Sequence, residues 1–210
     1  MRTQSEEKRR AILRAAESLF VEVGFERTSM SMIAERMRGS KQTLYNYFQS
    51  KEDLLRAVLD YDVSEVADRA MDQFRAEKDL RTAMVRFGIA YLEGQLSPSA
   101  IANIRIVSTQ PSESKLGEHF YQNVLCPAWR RVCGAFEALM QEGRLKQCDP
   151  WIAAMHWKGL VLLDLFERRL LGAMIVADPK EIEAAAEQAA DAFLKIYGAD
   201  VPAPKKKGRT

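Results

Sequence analysis

The stretch Thr43-Leu44-Tyr45-Asn46-Tyr47-Phe48-Gln49-Ser50-Lys51-Glu52-Asp53-Leu54 decides how the chain folds. Leu44 and Phe48 lie four apart and mark the buried side of a short helix from about Lys41 to Phe48. Ser50 and Asp53 form an S-x-x-[DE] capping box, followed by Leu54, Leu55, Val58 and Leu59 at helical spacing. A long helix therefore starts at Ser50 and is expected to run to about Phe74. On the short helix, the positions that do not face inward are Ser40, Lys41, Gln42, Thr43, Tyr45, Asn46 and Tyr47. They are a dense run of donors, acceptors and amphipathic rings, able to meet base edges or phosphates.

Upstream, Ile12, Ala15, Ala16, Leu19, Phe20 and Val23 recur at three- and four-residue steps and predict a first helix. Gly24 stands where a glycine just past the last turn would end it. Thr28 and Ser29 are candidate N-caps for a second, short helix with Met30, Ile33, Ala34 and Met37 on its buried side. Helix, short helix, tight turn, short helix, long helix is the layout of a helix-turn-helix module. The start of the long helix, with Lys51, offers backbone N–H groups and a positive charge to a phosphate.

Downstream, apolar periodicity predicts further helices at about 79–95, 98–108, 113–143, 150–172 and 179–197. Prolines fall where helices would start or stop, and Asp149 and Asp178 precede two of them as helix entries. No alternating strand pattern is evident. The expected fold is all-α, with an N-terminal three-helix helix-turn-helix domain (1–56), a C-terminal helical ligand-binding and dimerisation domain (57–199), and a basic tail (200–210). The tail ends Pro-Lys-Lys-Lys-Gly-Arg-Thr and is expected to be a disordered, solubilising end.

Composition narrows the function classes. The chain has 210 residues, 47% hydrophobic and 29% charged, enough apolar material for a sizeable core in an ordinary soluble protein. No stretch reads as a membrane span or a secretory signal, so the expected location is the cytoplasm. Residues 1–56 carry 11 basic and 8 acidic side chains, while the overall charge is only +2, so a mildly basic head sits on an acidic body. Cys126, Cys133 and Cys148 are odd in number and form no C-x-x-C pair. His119 and His156 are the only histidines, and no zinc spacing, nucleophile–base pair or glycine-rich phosphate loop is present. No metal, cofactor or catalytic residue is expected.

Residues 12–59 resemble the DNA-binding domain of the TetR family of bacterial regulators. The matching strings are Ala15-Ala16 to Leu19-Phe20, Gly24-Phe25, Thr28-Ser29-Met30, Ile33-Ala34 and, above all, T-L-Y-x-Y-F-x-S-K-E-x-L over residues 43–54. The resemblance implies that Lys41, Gln42 and Thr43 approach bases at the mouth of the recognition helix. It implies that Tyr45, Tyr47 and Lys51 hold the DNA backbone with Asn46 beside them, and that Ser29 and Ser31 touch DNA from the second helix. Two departures stand out. The family's turn reads A-G-V-S-K, whereas here it is Met37-Arg38-Gly39-Ser40-Lys41, so the glycine falls one place late. Arg38 is then expected in an unusual backbone conformation, at a cost on the order of 1 kcal/mol. Ser31 stands where many relatives carry a basic residue.

The resemblance also implies a C-terminal effector pocket and dimer interface. Asn103 to Leu145 and Phe166 to Gly172 look loosely like the AefR-type subgroup. The pocket candidates are the aromatic and sulfur residues Phe87, Tyr91, Phe120, Trp129, Cys133, Phe136, Met140 and Trp157. The last two helices, about 150–172 and 179–197, are the dimerisation candidates. The first is apolar nearly all round, and the second has an alanine-rich face of Ala184, Ala185, Ala189 and Ala192 beside Phe193 and Ile196. The expected function is a ligand-responsive repressor that binds a palindromic double-stranded DNA operator as a homodimer, with an unidentified small-molecule effector. Two alternatives remain open from the residues: a redox-sensing regulator that switches through its cysteines, and a small helical enzyme.

Overall fold

In a computed structural model of the chain, residues 2–199 are described, with side chains from Ser5 onward. The basic tail lies outside the described residues. Eleven α-helices follow one another with no strand among those residues: α1 Arg2–Glu22, α2 Met30–Arg36, α3 Lys41–Tyr47, α4 Lys51–Arg75, α5 Leu80–Gln95, α6 Pro98–Thr109, α7 Leu116–Phe120, α8 Cys126–Gln141, α9 Pro150–Leu162, α10 Leu165–Leu170 and α11 Pro179–Tyr197.

Ser29 and Ser50 each accept a backbone N–H at the start of α2 and α4, and Asp149 and Asp178 at the start of α9 and α11, as expected. Ser40, Asp79 and Ser97, not singled out as caps in the sequence, do the same for α3, α5 and α6. Thr28 is not a cap: its buried hydroxyl donates instead to the Gly24 carbonyl at 2.8 Å and braces the turn after α1. Gly24 adopts φ +90°, the left-handed exit expected of it.

Two apolar cores form, and α4 belongs to both. The first gathers Ile12, Leu13, Ala16 and Leu19 of α1, Ile33 of α2, Leu44 of α3 and Leu54 to Leu59 of α4. Leu116 and Phe120 of α7, with Val124 just beyond, complete it. The second gathers Ala70, Met71 and Phe74 of α4 with α5, α8, α9 and α11. The boundary expected at residue 56 therefore falls inside one continuous helix, and the C-terminal half supplies side chains to the reading head.

Two expected continuous helices are interrupted. The segment 113–143 contains a π-helical turn, Tyr121–Leu125, between α7 and α8. Pro127 has no N–H with which to continue the regular ladder, and the Cys126 N–H reaches back to the Tyr121 carbonyl instead. The segment 150–172 breaks at Leu163, whose φ of 45° and ψ of −130° end α9 before α10 begins. The alanines of α11 are also used differently from expectation. Ala185, Ala186 and Ala189 are buried within the chain, and a Cβ placed on Gly88 of α5 would lie 3.0 Å from that of Ala186. Small residues thus let α5 and α11 cross closely, leaving Ala184, Ala192 and Ile196 toward the outside.

Candidate nucleic-acid interface and interior cavity

The turn between α2 and α3 sets the pose of the presumed reader. Arg38 takes φ 51°, its N–H donates to the Glu35 carbonyl, and the Gly39 N–H donates to the Ala34 carbonyl at 2.9 Å. This double bond is the Schellman exit, whose left-handed position is normally glycine. The same exit closes α8, with Gly143 at φ 69° and the Arg144 N–H on the Leu139 carbonyl. In α2 the glycine comes one residue late, so an exposed arginine, three positions before Lys41 at the start of α3, carries the strained conformation.

Leu44 and Phe48 are buried against α1 and α4, as their spacing requires. The opposite side of α3 and the start of α2 expose Ser29, Ser31, Ser40, Lys41, Gln42, Tyr45 and Asn46, with Tyr45 47% exposed. Two contacts pre-order this face. Ser40 caps the Thr43 N–H at 3.0 Å and shares a hydroxyl hydrogen bond with Thr43 at 2.8 Å, and the Gln42 amide donates to Asn46 at 3.2 Å. Tyr47 is half-buried, with its hydroxyl 3.5 Å from that of Ser5 on α1.

Lys51 makes contacts within the chain. Its ammonium donates to the Phe25 carbonyl at 2.8 Å and to the Glu26 carbonyl at 3.3 Å, and sits 4.2 Å from the Phe25 ring centre. The cation adds to the hydrogen bonding of the turn after α1, where the Phe25 carbonyl also accepts the Thr28 N–H, and so clamps the α1–α2 turn. A second clamp joins α1 to α2: Arg36 grips Glu22 through two hydrogen bonds of 2.7 and 3.0 Å. The guanidinium, with help from Ser18, holds the Glu22 carboxyl down at about 2.

A cleft that opens to the surface at Glu65 runs between the two cores in two adjoining chambers. The outer chamber, of about 100 Å³, is walled by Glu17 of α1, Asp62 and Glu65 of α4, Asn103 of α6, and Phe120. The inner chamber, of about 40 Å³, is lined by Phe87, Tyr91, Trp129 and Val132. Val63, Val66, Gln95 and Leu125 border both. Tyr91 and Trp129 meet edge to face at 5.4 Å. Asn103, itself buried, donates to the Asp62 carboxyl at 2.6 Å. Burial and the nearby charges of Glu17 and Glu65 outweigh that bond and push Asp62 up to about 7.

With this geometry in view, two family profiles account for most of the chain. Residues 12–58 match the tetR family of bacterial regulatory proteins, and residues 82–199 match the C-terminal domain of AefR-like transcriptional repressors. The chain belongs to the TetR family of transcriptional regulators. YhgD, an HTH-type transcriptional regulator of Bacillus subtilis, is 22% identical over 165 residues, 77% of this chain and 84% of its own. A TetR-family regulator from Mesorhizobium loti superposes with a TM-score of 0.83 at 24% identity, over 93% of this chain and 98% of its own. The flavonoid-responsive regulator FrrA superposes with a TM-score of 0.66 at 28% identity, over 92% and 98%.

In this TetR-family regulator the structure divides the expected pocket residues. Phe87, Tyr91 and Trp129 line the inner chamber and Phe120 the outer one. Phe136, Met140 and Trp157 do not line it. They form solid core instead, with Phe136 and Trp157 packed on Phe193 at 5.2 and 5.6 Å. Cys133 packs at the edge of the same core. On α8, Trp129, Val132, Phe136 and Met140 all lie on one face: Trp129 and Val132 border the inner chamber, and Phe136 and Met140, further along that face, are enclosed by the second core. The polar residues Asp62, Asn103 and Gln95 were not anticipated. A signal for Asp62 was available, because it continues the apolar phase of α4 set by Leu55 and Leu59 and resumed by Val66.

Cys133 and Cys148 are not activated. Burial raises Cys133 and Cys148 above the ordinary thiol value, and the Asp149 charge adds to both, which lowers the thiolate fraction. No helix of the described residues is long and apolar enough to cross a membrane.

Proposed function

We propose that the protein is a ligand-responsive repressor that binds a palindromic DNA operator as a homodimer in the cytoplasm. The observation that carries this reading is the pre-ordered polar face of α2 and α3, held by caps and clamps yet exposed. Lys41, Gln42 and Thr43 would meet base edges, Tyr45 and Asn46 would meet the backbone beside them, and Ser29 and Ser31 would add contacts from α2. Arg38 supplies a phosphate contact. Tyr47 and Lys51 would act chiefly by fixing α3 and the α1–α2 turn.

Dimerisation is supported by where apolar surface remains. Ile152, Leu163, Leu171, Ile175, Val176 and Ile196 are exposed on α9 to α11 and the loop between them. Apolar surface concentrated on one end of a chain marks an association site, and a two-fold partner would space two readers for two half-sites. Ligand responsiveness is supported by the two-chambered cavity and by FrrA, which responds to flavonoids.

Binding of purified protein to the DNA immediately upstream of its own coding region tests the reading. Binding should fall steeply with salt and should collapse in a Lys41→Ala, Tyr45→Ala variant. Weak, sequence-blind binding that ignores both substitutions would refute it.

A further inference from the structure

The outer chamber holds negative charge that the fold leaves uncompensated. Glu17 comes from α1, and Asp62 and Glu65 come from α4 one turn apart. No ion pair among the described residues involves any of them, whereas Glu22, Asp68 and Asp191 each hold an arginine. The one hydrogen-bond donor to Asp62 is the neutral amide of Asn103. The other charges acting on it, Glu17 and Glu65, are both negative. Half-buried carboxylates are ordinarily paired, so Glu17 and Asp62, left facing a void with the exposed Glu65 at its rim, lack a cation.

The inner chamber supplies an independent observation. Tyr91 is 7% exposed and lines that void, and its hydroxyl has no hydrogen-bond partner among the described residues. It stands edge to face with Trp129, next to Val66 and Phe87. A buried phenol without a partner beside an apolar, aromatic wall is half of a binding site. An inorganic ion does not fit, because no group of three or more His, Cys, Asp or Glu side chains among the described residues is placed to hold a metal.

We propose that the effector is an amphipathic organic cation, with an ammonium or guanidinium group in the outer chamber against Asp62 and Glu17, and an apolar body that enters the inner chamber against the Tyr91–Trp129 wall by displacing its neighbours. The inference rests on the ligand-responsive reading above and specifies its effector. The charged end completes the missing ion pair, and the Tyr91 hydroxyl is free to meet a polar atom of the body. Because Glu17 stands on α1 and Asp62 on α4, the bound cation touches the reading head and the long helix at once. Neutral molecules of the same shape gain the apolar contact alone, and anions meet three like charges.

Calorimetric titration with phenylbutylamine, phenylbutanol and phenylbutyrate at pH 8 separates these cases, since the three share one body and differ in the sign of the head. The amine should bind at least tenfold tighter than the alcohol, and the acid weakest. Asp62→Asn should narrow the gap between amine and alcohol without weakening the alcohol, Glu17→Gln should narrow it too, and the two together should close most of it. Trp129→Ala should weaken the amine and the alcohol alike. Equal affinity for amine and alcohol, preference for the acid, a gap unchanged by Asp62→Asn, or no binding of any probe at millimolar concentration would overturn the proposal. Operator binding is measured on the same preparation. Release of operator by the alcohol or the acid alone would overturn the cation class and leave the ligand-responsive regulator standing. Failure of the free protein to bind operator would overturn the regulator and leave the calorimetric preference to decide the charge of the site.

Discussion

Replacing Asp62 by Asn should make the protein more stable, and only above acidic pH. In the fold the Asp62 carboxyl is pushed up to about 7 from an ordinary value of 3.8. Between those values the native state holds a proton that the unfolded chain has lost. Native stability is therefore undiminished below about pH 4, falls as pH rises toward 7, and is flat above it. Roughly three pH units at about 1.4 kcal/mol each set a ceiling of about 4 kcal/mol. The carboxyl borders a void open to water, and screening there brings the expected penalty to about 2 kcal/mol. Asparagine removes the charge, keeps nearly the same volume and retains a carbonyl to accept the Asn103 amide. Urea unfolding of wild type and Asp62→Asn, at equal protein concentration and at several pH values, isolates this group, because the other titrations cancel in the difference. At pH 8 the variant should gain about 2 kcal/mol, equivalent to a melting shift of about 4–8 °C for a chain of this size. Near pH 4 the gain should vanish. A variant less stable at pH 8, or a difference that does not change with pH, would refute the view that Asp62 is kept at a cost to the fold.

Three other substitutions bear on separate parts of the argument. Arg38→Gly relieves a left-handed arginine, worth roughly 1–2 kcal/mol, against a glycine entropy cost of roughly 0.5–1 kcal/mol. It should therefore raise stability by about 0.5–1 kcal/mol in thermal unfolding while reducing the salt slope of operator binding by about one. Gly94→Ala on α5 would place its Cβ 2.7 Å from Val66 Cγ2 on α4, at the border of both chambers. Overpacking of that kind should cost about 1–3 kcal/mol, and adding Val66→Ala should recover most of it. Ile152→Glu with Ile196→Glu should leave the monomer fold intact, because both side chains are about half exposed. Light scattering should then report a monomer with weaker operator binding, and an unchanged oligomer would move the interface elsewhere.

The reading head was legible because its signals are local. Leu44 and Phe48 fixed the buried side of α3, serines at 29 and 50 fixed two helix starts, and the late glycine at 39 foretold the strained Arg38. The intramolecular contacts of Lys51 were not legible, because its spacing gives its place on α4 but not which way a long flexible side chain turns. The nearby carbonyls of Phe25 and Glu26 come from a turn far back in the sequence. The break at Leu163 was invisible because a helix apolar on every side has no phase to interrupt. Trp157 and Phe136 were taken as pocket because an aromatic at helical spacing looks the same whether it faces a void or another ring. The reverse signal, a carboxylate on the apolar phase of a long helix, was more informative and was passed over.

The position of the cavity suggests how filling it reaches DNA. Phe120 belongs to the core of the reading head and is also a wall of the outer chamber. Leu125, which borders both chambers, ends the π-helical turn that joins α7 to α8. A π-helical turn is a weak point in a helix, and here it separates the segment packed on the reading head from the segment packed in the second core. The two chambers are small, so an occupant with a ring and a charged end must displace Phe120, Leu125 or Glu17 rather than settle into ready space. Each displacement bears on α1 or α7, the two supports of the reading head besides α4. Helix α4 spans about 37 Å at 1.5 Å per residue and cannot bend sharply without a proline or glycine, so movement of α1 and α7 relative to it tilts α3 as a unit. Only about 1.4 kcal/mol of difference between the two arrangements gives a tenfold change in operator affinity, and by linkage the operator must weaken effector binding by the same factor. A titration of effector in the presence and absence of operator therefore measures the coupling directly. Equal affinities in the two titrations would mean that the chambers, whatever they hold, are not connected to the reader.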